Sequence, residues 1–394
     1  MIEMGWVLVV MAVGMVVYAY LGYPVLLQAA AWLRPSGRDE GALPSEWPLI
    51  AITVPMYNEE AQARELVESL LALDYPPDRR QILIVSDGST DGTDEIVRGF
   101  DDRGVELLRV EGRSGKTAAE NAASSRLRGD IVVNTDASIR IRPDALKRLI
   151  APFADPGIGL TSGRDLSVSA EEDSDANLGE SGYVGYEMWV RDLETALGGI
   201  VGASGCLYAT RLELHRIPVP GHLSRDFAAA LKCQEHGYRA VSVPEAVCLV
   251  PRTGSLGKEY RRKVRTMTRG METLLSRRHL MNPFRHGLFA WKLVSHKLCR
   301  WLAPWAMVLG GVGLALMAPT FGWALGLLVL GTGAGALGAV AWALADRYPL
   351  PGPLRMLAFA VMGNVAAMHA SLNALRGRSD AIWEPTRREG AAVS

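Results

Sequence analysis

The chain has 394 residues, enough for one sizeable domain with further segments, or for two to three small domains. Lys+Arg and Asp+Glu both number 42, so no basic excess points to nucleic acid, and no such partner is expected. Apolar residues make up 49%, high for a purely soluble protein, and Cys206, Cys233, Cys248 and Cys299 show neither CxxC spacing nor a His/Cys cluster; this argues against a zinc site or a disulfide framework and fits a reducing compartment.

The first element is residues 4–33, "MGWVLVVMAVGMVVYAYLGYPVLLQAAAWL", which contain no charge. At about 1.5 Å per residue such a helix crosses a hydrocarbon layer about 30 Å thick. The run is too long for a signal-peptide core and has no basic region before it, so it reads as an uncleaved transmembrane helix. Arg34 and Arg38 follow directly and put the next segment on the cytoplasmic side.

Residues 45–284 form a charged segment of domain size, between an N-terminal helix and linker (1–44) and a C-terminal membrane part (285–394). The stretches 49–58, 81–89, 105–110 and 130–138 are apolar runs ending in polar residues, as buried parallel strands do, and helical stretches such as 59–73 and 92–103 lie between them. This order predicts a doubly wound α/β sheet with ligands at the carboxyl ends of its strands. Those ends carry Asn58-Glu59, Asp87-Gly88, Arg113 to Lys116, and Asp136.

Further on, Arg262, Arg265 and Arg269 fall at i, i+3 and i+7, one cationic stripe of a helix that either faces solvent and headgroups or reaches a phosphate. The acidic run 170–181 reads as a solvated loop. From residue 284, "FRHGLFAWKLVSHKLCRWL" mixes aromatic with basic residues and reads as a helix lying in the membrane interface. Residues 301–317 and 323–345 form a membrane hairpin, and 354–375, interrupted by Asn364, His369 and Asn373, is a weaker third span. Three such spans would carry Arg376, Arg378, Arg387 and Arg388 to the outside, against the charge rule; either the last segment does not cross, or the count elsewhere is off by one.

"SDGSTDGT" (86–93) makes two Asp-Gly turns, where Asp91 and Thr93 serve as turn and cap residues. Asp87 would sit at a buried strand end, where a carboxylate needs a partner, and a ligand is one candidate. Asp136 ends the fourth strand beside it, as a ligand or metal contact or as a helix cap. "GRSGKT" (112–117) has the letters of a phosphate-binding P-loop, but GxxxxGK[ST] requires glycine at position 110, which is Val110. A nucleotide-driven transporter, which would need that loop, loses its main support.

"VPMYNEE" (54–60), "SDGSTDGT", "GRSGKTAAEN", "NTDAS" (134–138) and "SRDFAAALKCQEHGYRAVSVPEA" (224–246), in this order, resemble a membrane-embedded family 2 glycosyltransferase of the GT-A fold. The resemblance implies a GT-A-like doubly wound mixed sheet in a cytoplasmic domain, flanked by transmembrane helices of the inner or plasma membrane. It implies an inverting transfer from a nucleotide diphosphate sugar, a UDP-sugar first, to a lipid-linked or glycan acceptor at the membrane lipids. Pro55, Tyr57 and Glu59 would line the nucleotide pocket and Asp87 would contact the nucleobase. Lys116 and Arg265 would face the diphosphate, and Asn121 would help hold the lysine's helix. Asp136 and Ser138 would hold Mg2+ or Mn2+, and Asp226 would be the catalytic base.

Three departures qualify this. Ser138 stands where a second carboxylate is usual, leaving the metal to Asp136, phosphate and water. Arg225 precedes Asp226 where relatives often carry Glu or Asp. The stretch Arg262 to Thr266 lacks the tryptophan that processive polysaccharide synthases of the family carry. A processive synthase and an inactive nucleotide-sugar-binding relative remain the alternatives.

Overall fold

The computed structural model describes residues 1–33, 46–168, 177–251 and 255–378, with side chains in the helix Asn177–Ala196 described from residue 184 onward. Arg34, Arg38, most of the acidic run and the tail arginines Arg387 and Arg388 lie outside the described residues. The described chain falls into two compact units: a sheet unit (46–168 and 184–251) and a helical unit (up to 33, 177–183 and 255–378).

The sheet unit holds β1 (Ile50–Met56), β2 (Arg80–Asp87), β3 (Val105–Val110), β4 (Ile131–Thr135), β5 (Arg140–Ile141), β6 (Ile158–Val168), β7 (Leu207–Arg211) and β8 (Arg239–Pro251). Their spatial order is β3-β2-β1-β4-β7-β6-β8-β5. The first four in that order are parallel, β7 runs antiparallel to both β4 and β6, and β8 is parallel to β6. The result is a mixed sheet of GT-A type, as the sequence predicted, and the predicted parallel strands occur within a few residues of their expected bounds.

β1 apart from Thr53, and β2 over Ile82 to Val85, are apolar because both faces are covered. Ile50, Ile52, Val54 and Met56 pack on the helix Glu60–Leu71 through Ala63, Leu66, Val67 and Leu70. On the opposite face Ala51, Leu83, Val85 and Val132 pack on Ala119 and Ala123 of the helix Lys116–Ala123. The alternation is the two-residue period of a strand read twice, once per layer. It also sets the helix carrying Lys116 directly over the parallel strand ends.

In the helical unit, four described helices are long and apolar enough to cross a membrane: Ile2–Trp32, Pro283–Met317, Gly322–Ala345 and Gly352–Leu375. The first packs closely on the second, where a Cβ on Gly313 would lie 2.7 Å from the Gly5 carbonyl oxygen; small residues let the two backbones approach. The stretch expected to lie in the interface is the first part of Pro283–Met317, not a separate surface element. Its basic face is turned inward: Lys292, His296 and Arg300 are all buried. The adjoining Trp291 indole donates to the Tyr18 hydroxyl at 2.9 Å, and that hydroxyl meets Ser295 at 2.7 Å. Polar interruptions in the last helix are met locally, with Asn364 donating to the Ala360 carbonyl at 2.8 Å and His369 bonded to Tyr260 at 2.9 Å.

Candidate active site

The carboxyl ends of β1, β2, β3 and β4 converge through backbone bonds. After β1, Asn58 adopts φ 52° and its amide oxygen accepts from the Thr90 backbone N–H at 2.8 Å, which ties the first loop to the second. Asp91 makes the turn ahead of the helix Thr93–Arg98, accepting from the Thr93 N–H at 3.1 Å and from the Glu60 N–H at 3.2 Å. The expected turn role is thus seen, while the N-cap position of that helix is Gly92 and not Asp91 or Thr93.

Asp87 finds its partners in backbone amides. Its two carboxylate oxygens accept from the Ser114 and Gly115 N–H groups, each at 2.8 Å, and so hold the turn that delivers Lys116. Gly88 is required beside it: φ is 72°, and a Cβ there would lie 2.8 Å from the Gly112 carbonyl carbon. In the same loops the Arg113 guanidinium lies 4.0 Å from the Tyr57 ring centroid. Pro55 is within β1 beside Val85, and Glu59 is buried with its carboxylate accepting from Gln62.

Lys116 opens its helix and forms an ion pair with Asp136 at the end of β4, so the strand-end rule brings these two expected residues together. Their side chains are 24% and 32% exposed, so the pair is open to solvent. Burial pulls the Lys116 pKa down, but the charges of Asp136 and Glu120 outweigh it and hold the ammonium above the ordinary lysine value. Ser138 lies two residues beyond, partly buried. Among the described residues no group of three His, Cys, Asp or Glu is placed to cage a metal. One half-open carboxylate, now engaged by an ammonium, fits a divalent ion that takes its other ligands from diphosphate and water.

Three residues on one face of the lysine's helix bind the segment that leads to Asp226. Thr117 donates to the Leu223 carbonyl at 3.3 Å, Asn121 donates to the Val219 carbonyl at 2.7 Å, and Glu120 faces the Arg225 Nε at 3.5 Å. Asn121 therefore anchors the opposite segment more than its own helix. Asp226, in the first turn of the helix Arg225–Glu235, accepts from the Ser224 hydroxyl, and a Cβ on Gly205 would lie 3.2 Å from its Oδ2. Asp136 and Asp226 both act electrostatically on buried Glu120, and Asp226 acts on buried Tyr208 as well. Arg265 is on the helix Leu256–Ser276 of the helical unit, where its neighbour Arg262 pairs with Glu259 at 2.8 Å.

Arg225, noted in the sequence only as a departure, is buried; its guanidinium donates to Asn121 and to the His215 carbonyl at 3.0 Å. Glu120 and Tyr208 were not foreseen. The available signal for Glu120 was its i+4 spacing from Lys116. Asp165 at the end of β6 was also missed; it accepts from the Ser204 hydroxyl at 2.6 Å and faces the Cys248 thiol at 3.5 Å.

Residues 51–193 match the family described as Glycosyl transferase family 2. A beta-monoglucosyldiacylglycerol synthase of Synechocystis sp. is 35% identical over 117 residues, 29% of this chain and 24% of that protein. A poly-beta-1,6-N-acetyl-D-glucosamine synthase of Staphylococcus epidermidis is 26% identical over 232 residues, 57% of this chain and 55% of that one. The chain thus spans about half the length of these relatives, or less. Among solved structures, a mannosyltransferase from Pyrobaculum calidifontis in complex with GDP-Man and Mn2+ has a TM-score of 0.68 at 26% identity, covering 94% of this chain and 100% of its own. Residues 51–193 thus match a family 2 glycosyltransferase domain, and the fold around them is of GT-A type.

Proposed function

We propose that the protein is an inverting, metal-assisted glycosyltransferase that moves a sugar from a nucleotide diphosphate sugar, a UDP-sugar first, to a lipid-linked or membrane-proximal hydroxyl. The observation that carries this reading is the Lys116–Asp136 pair at the strand ends, joined by a single helix to the segment bearing Asp226. Bound Mg2+ or Mn2+ would supply charge stabilisation for the departing diphosphate, with Asp136 and Ser138 as the protein groups beside it. Lys116 would neutralise the negative charge that develops as the bond from the anomeric carbon to the diphosphate oxygen breaks. The acceptor oxygen forms the new bond from the opposite face, its proton passes to the Asp226 carboxylate, and the bond electrons leave with the nucleotide diphosphate. A single displacement of this kind inverts the anomeric carbon. Pro55, Tyr57, Glu59 and Asp87 would shape the nucleotide pocket, Asp87 by fixing the 112–115 turn, and Arg265 would add a phosphate contact.

The four apolar helices, together with a relative named for diacylglycerol glucosylation, support an acceptor at the membrane; the sheet domain would lie on the cytoplasmic face. The test offers UDP- and GDP-sugars to the full chain in detergent with membrane lipid extract, and reads nucleotide release and product mass. Asp226→Asn should lower turnover by about 10²–10⁴-fold while sparing nucleotide binding. Full transfer by that variant would remove Asp226 as the base, and a ladder of products would select a processive synthase.

A further inference from the structure

Glu120 is fully buried, and neither of its carboxylate oxygens accepts a hydrogen bond among the described residues. Its ion contact is the Arg225 Nε at 3.5 Å. Such a carboxylate is costly to bury unless a donor can reach it. Lys116 is four residues earlier on the same helix, where side chains are neighbours, and it carries three donors on a flexible stem. Its ammonium is paired with Asp136 at the half-open side of the cluster, whereas the Glu120 side is closed.

We infer that Lys116 has two carboxylate partners, and that Glu120 is the positioning residue that retains its ammonium when a divalent cation takes Asp136. The inference rests on the reading of Asp136 as the metal contact given above. An ammonium and a divalent ion on one carboxylate repel each other, so the ion binds tightly only if the lysine can lean away without losing an anion. Glu120 provides that anion within the same helix and keeps Lys116 beside the diphosphate. Burial acts to raise the Glu120 pKa, and Lys116 and Arg225 oppose the rise, so both cations act on this carboxylate. The competing view makes Glu120 only the counter-charge of Arg225.

The experiment measures Mn2+ binding to the full chain in detergent with UDP present, from the paramagnetic resonance of the free ion. Glu120→Gln should weaken Mn2+ binding about tenfold, the scale of a lost outer partner. In a Lys116→Met background the same substitution should add less than about twofold, because the competing ammonium is gone. Arg225→Gln should leave Mn2+ affinity within about twofold, since it removes no partner of the lysine. Should Glu120→Gln fail to fold, the double variant Glu120→Leu/Arg225→Leu carries the same test without a lone buried charge. Unchanged Mn2+ binding in Glu120→Gln, an equal loss in the Lys116→Met background, or the same loss in Arg225→Gln would each overturn the inference. Asp136→Asn separates the two levels. If it leaves Mn2+ binding intact, the metal reading itself fails; if it abolishes binding while Glu120→Gln does not, only the role of Glu120 falls.

Discussion

Two neighbouring parts of the crevice treat their carboxylates in opposite ways. In the strand-end loops, Asp87 and Asp91 are each held by two or more backbone N–H groups. Behind Lys116, Glu120 has charged neighbours but, among the described residues, no hydrogen bond to either oxygen. Backbone amides are fixed by the chain, so the first arrangement is rigid and cannot follow a ligand. Charged side chains on flexible stems can re-pair at modest cost, so the second can reorganise. The molecule keeps its loops stiff and places its adjustable charges where a metal and a diphosphate would change the local field.

The sharpest way to break this contrast is to strand one charge of the adjustable cluster. Arg225→Ala leaves Glu120 buried without its guanidinium partner and should cost about 3–5 kcal/mol in a denaturant titration of the full chain in detergent. Replacing both by leucine should be neutral or stabilising by about 1–4 kcal/mol, because a packed apolar pair needs no partners. If the double variant is instead as unstable as Arg225→Ala, the bonds from Arg225 to Asn121 and to the His215 carbonyl matter more than the ion pair.

A smaller effect is expected in the rigid part. Gly88→Ala forces a side chain into φ 72° and against the Gly112 backbone. Strain of this kind is about 1–3 kcal/mol, and because the 88 and 112 loops hold the lysine turn, nucleotide affinity should fall along with stability. A variant that lost stability but kept nucleotide affinity would show that the turn does not position Lys116.

The two parts also differed in how far the sequence disclosed them. The parallel strands were legible because β1, β2 and β4 are buried on both faces and give way to polar residues at their carboxyl ends. Lys116 and Asp136 were legible as residues of one carboxyl edge, but not as a pair: they follow β3 and β4, which β2 and β1 separate, and β4 lies beside β1 rather than beside the strand that ends in Asp87, as the sequence had suggested. The antiparallel half was not separated into strands: β7 pairs with β4 across more than 70 residues of chain, and β8 mixes Glu245 into an otherwise apolar run. Glu120 escaped because a charge in a short, alanine-rich helix reads as solvent-facing until the segment carrying Arg225 is folded over it. Arg225 was visible only as an exception to a family pattern, and the fold shows why it is tolerated: it points inward to Glu120 while Asp226, one residue on, is directed toward Gly205.

The smallest predicted effect separates the two kinds of carboxylate by the sign of their pH dependence. Burial acts to raise the Asp91 pKa, but hydrogen bonds from the Thr93 hydroxyl, the Thr93 N–H and the Glu60 N–H outweigh it, and the group titrates below the ordinary Asp value. A carboxyl whose folded pKa is depressed adds stability that is fully present above its unfolded value, about 3.9, and is lost as pH falls through the lower folded value. Glu120, raised by burial, has the opposite sign: its charged form is disfavoured in the folded chain, and that cost is relieved as pH drops. Asp91→Asn should therefore lower stability at neutral pH by a small amount, because the site is largely solvated, and the gap from the parent should close on acidification toward pH of about 3. Parallel acid-unfolding curves for the two proteins would mean that Asp91 is not held by its amides in solution. The loops would then have to be counted with the adjustable charges rather than against them.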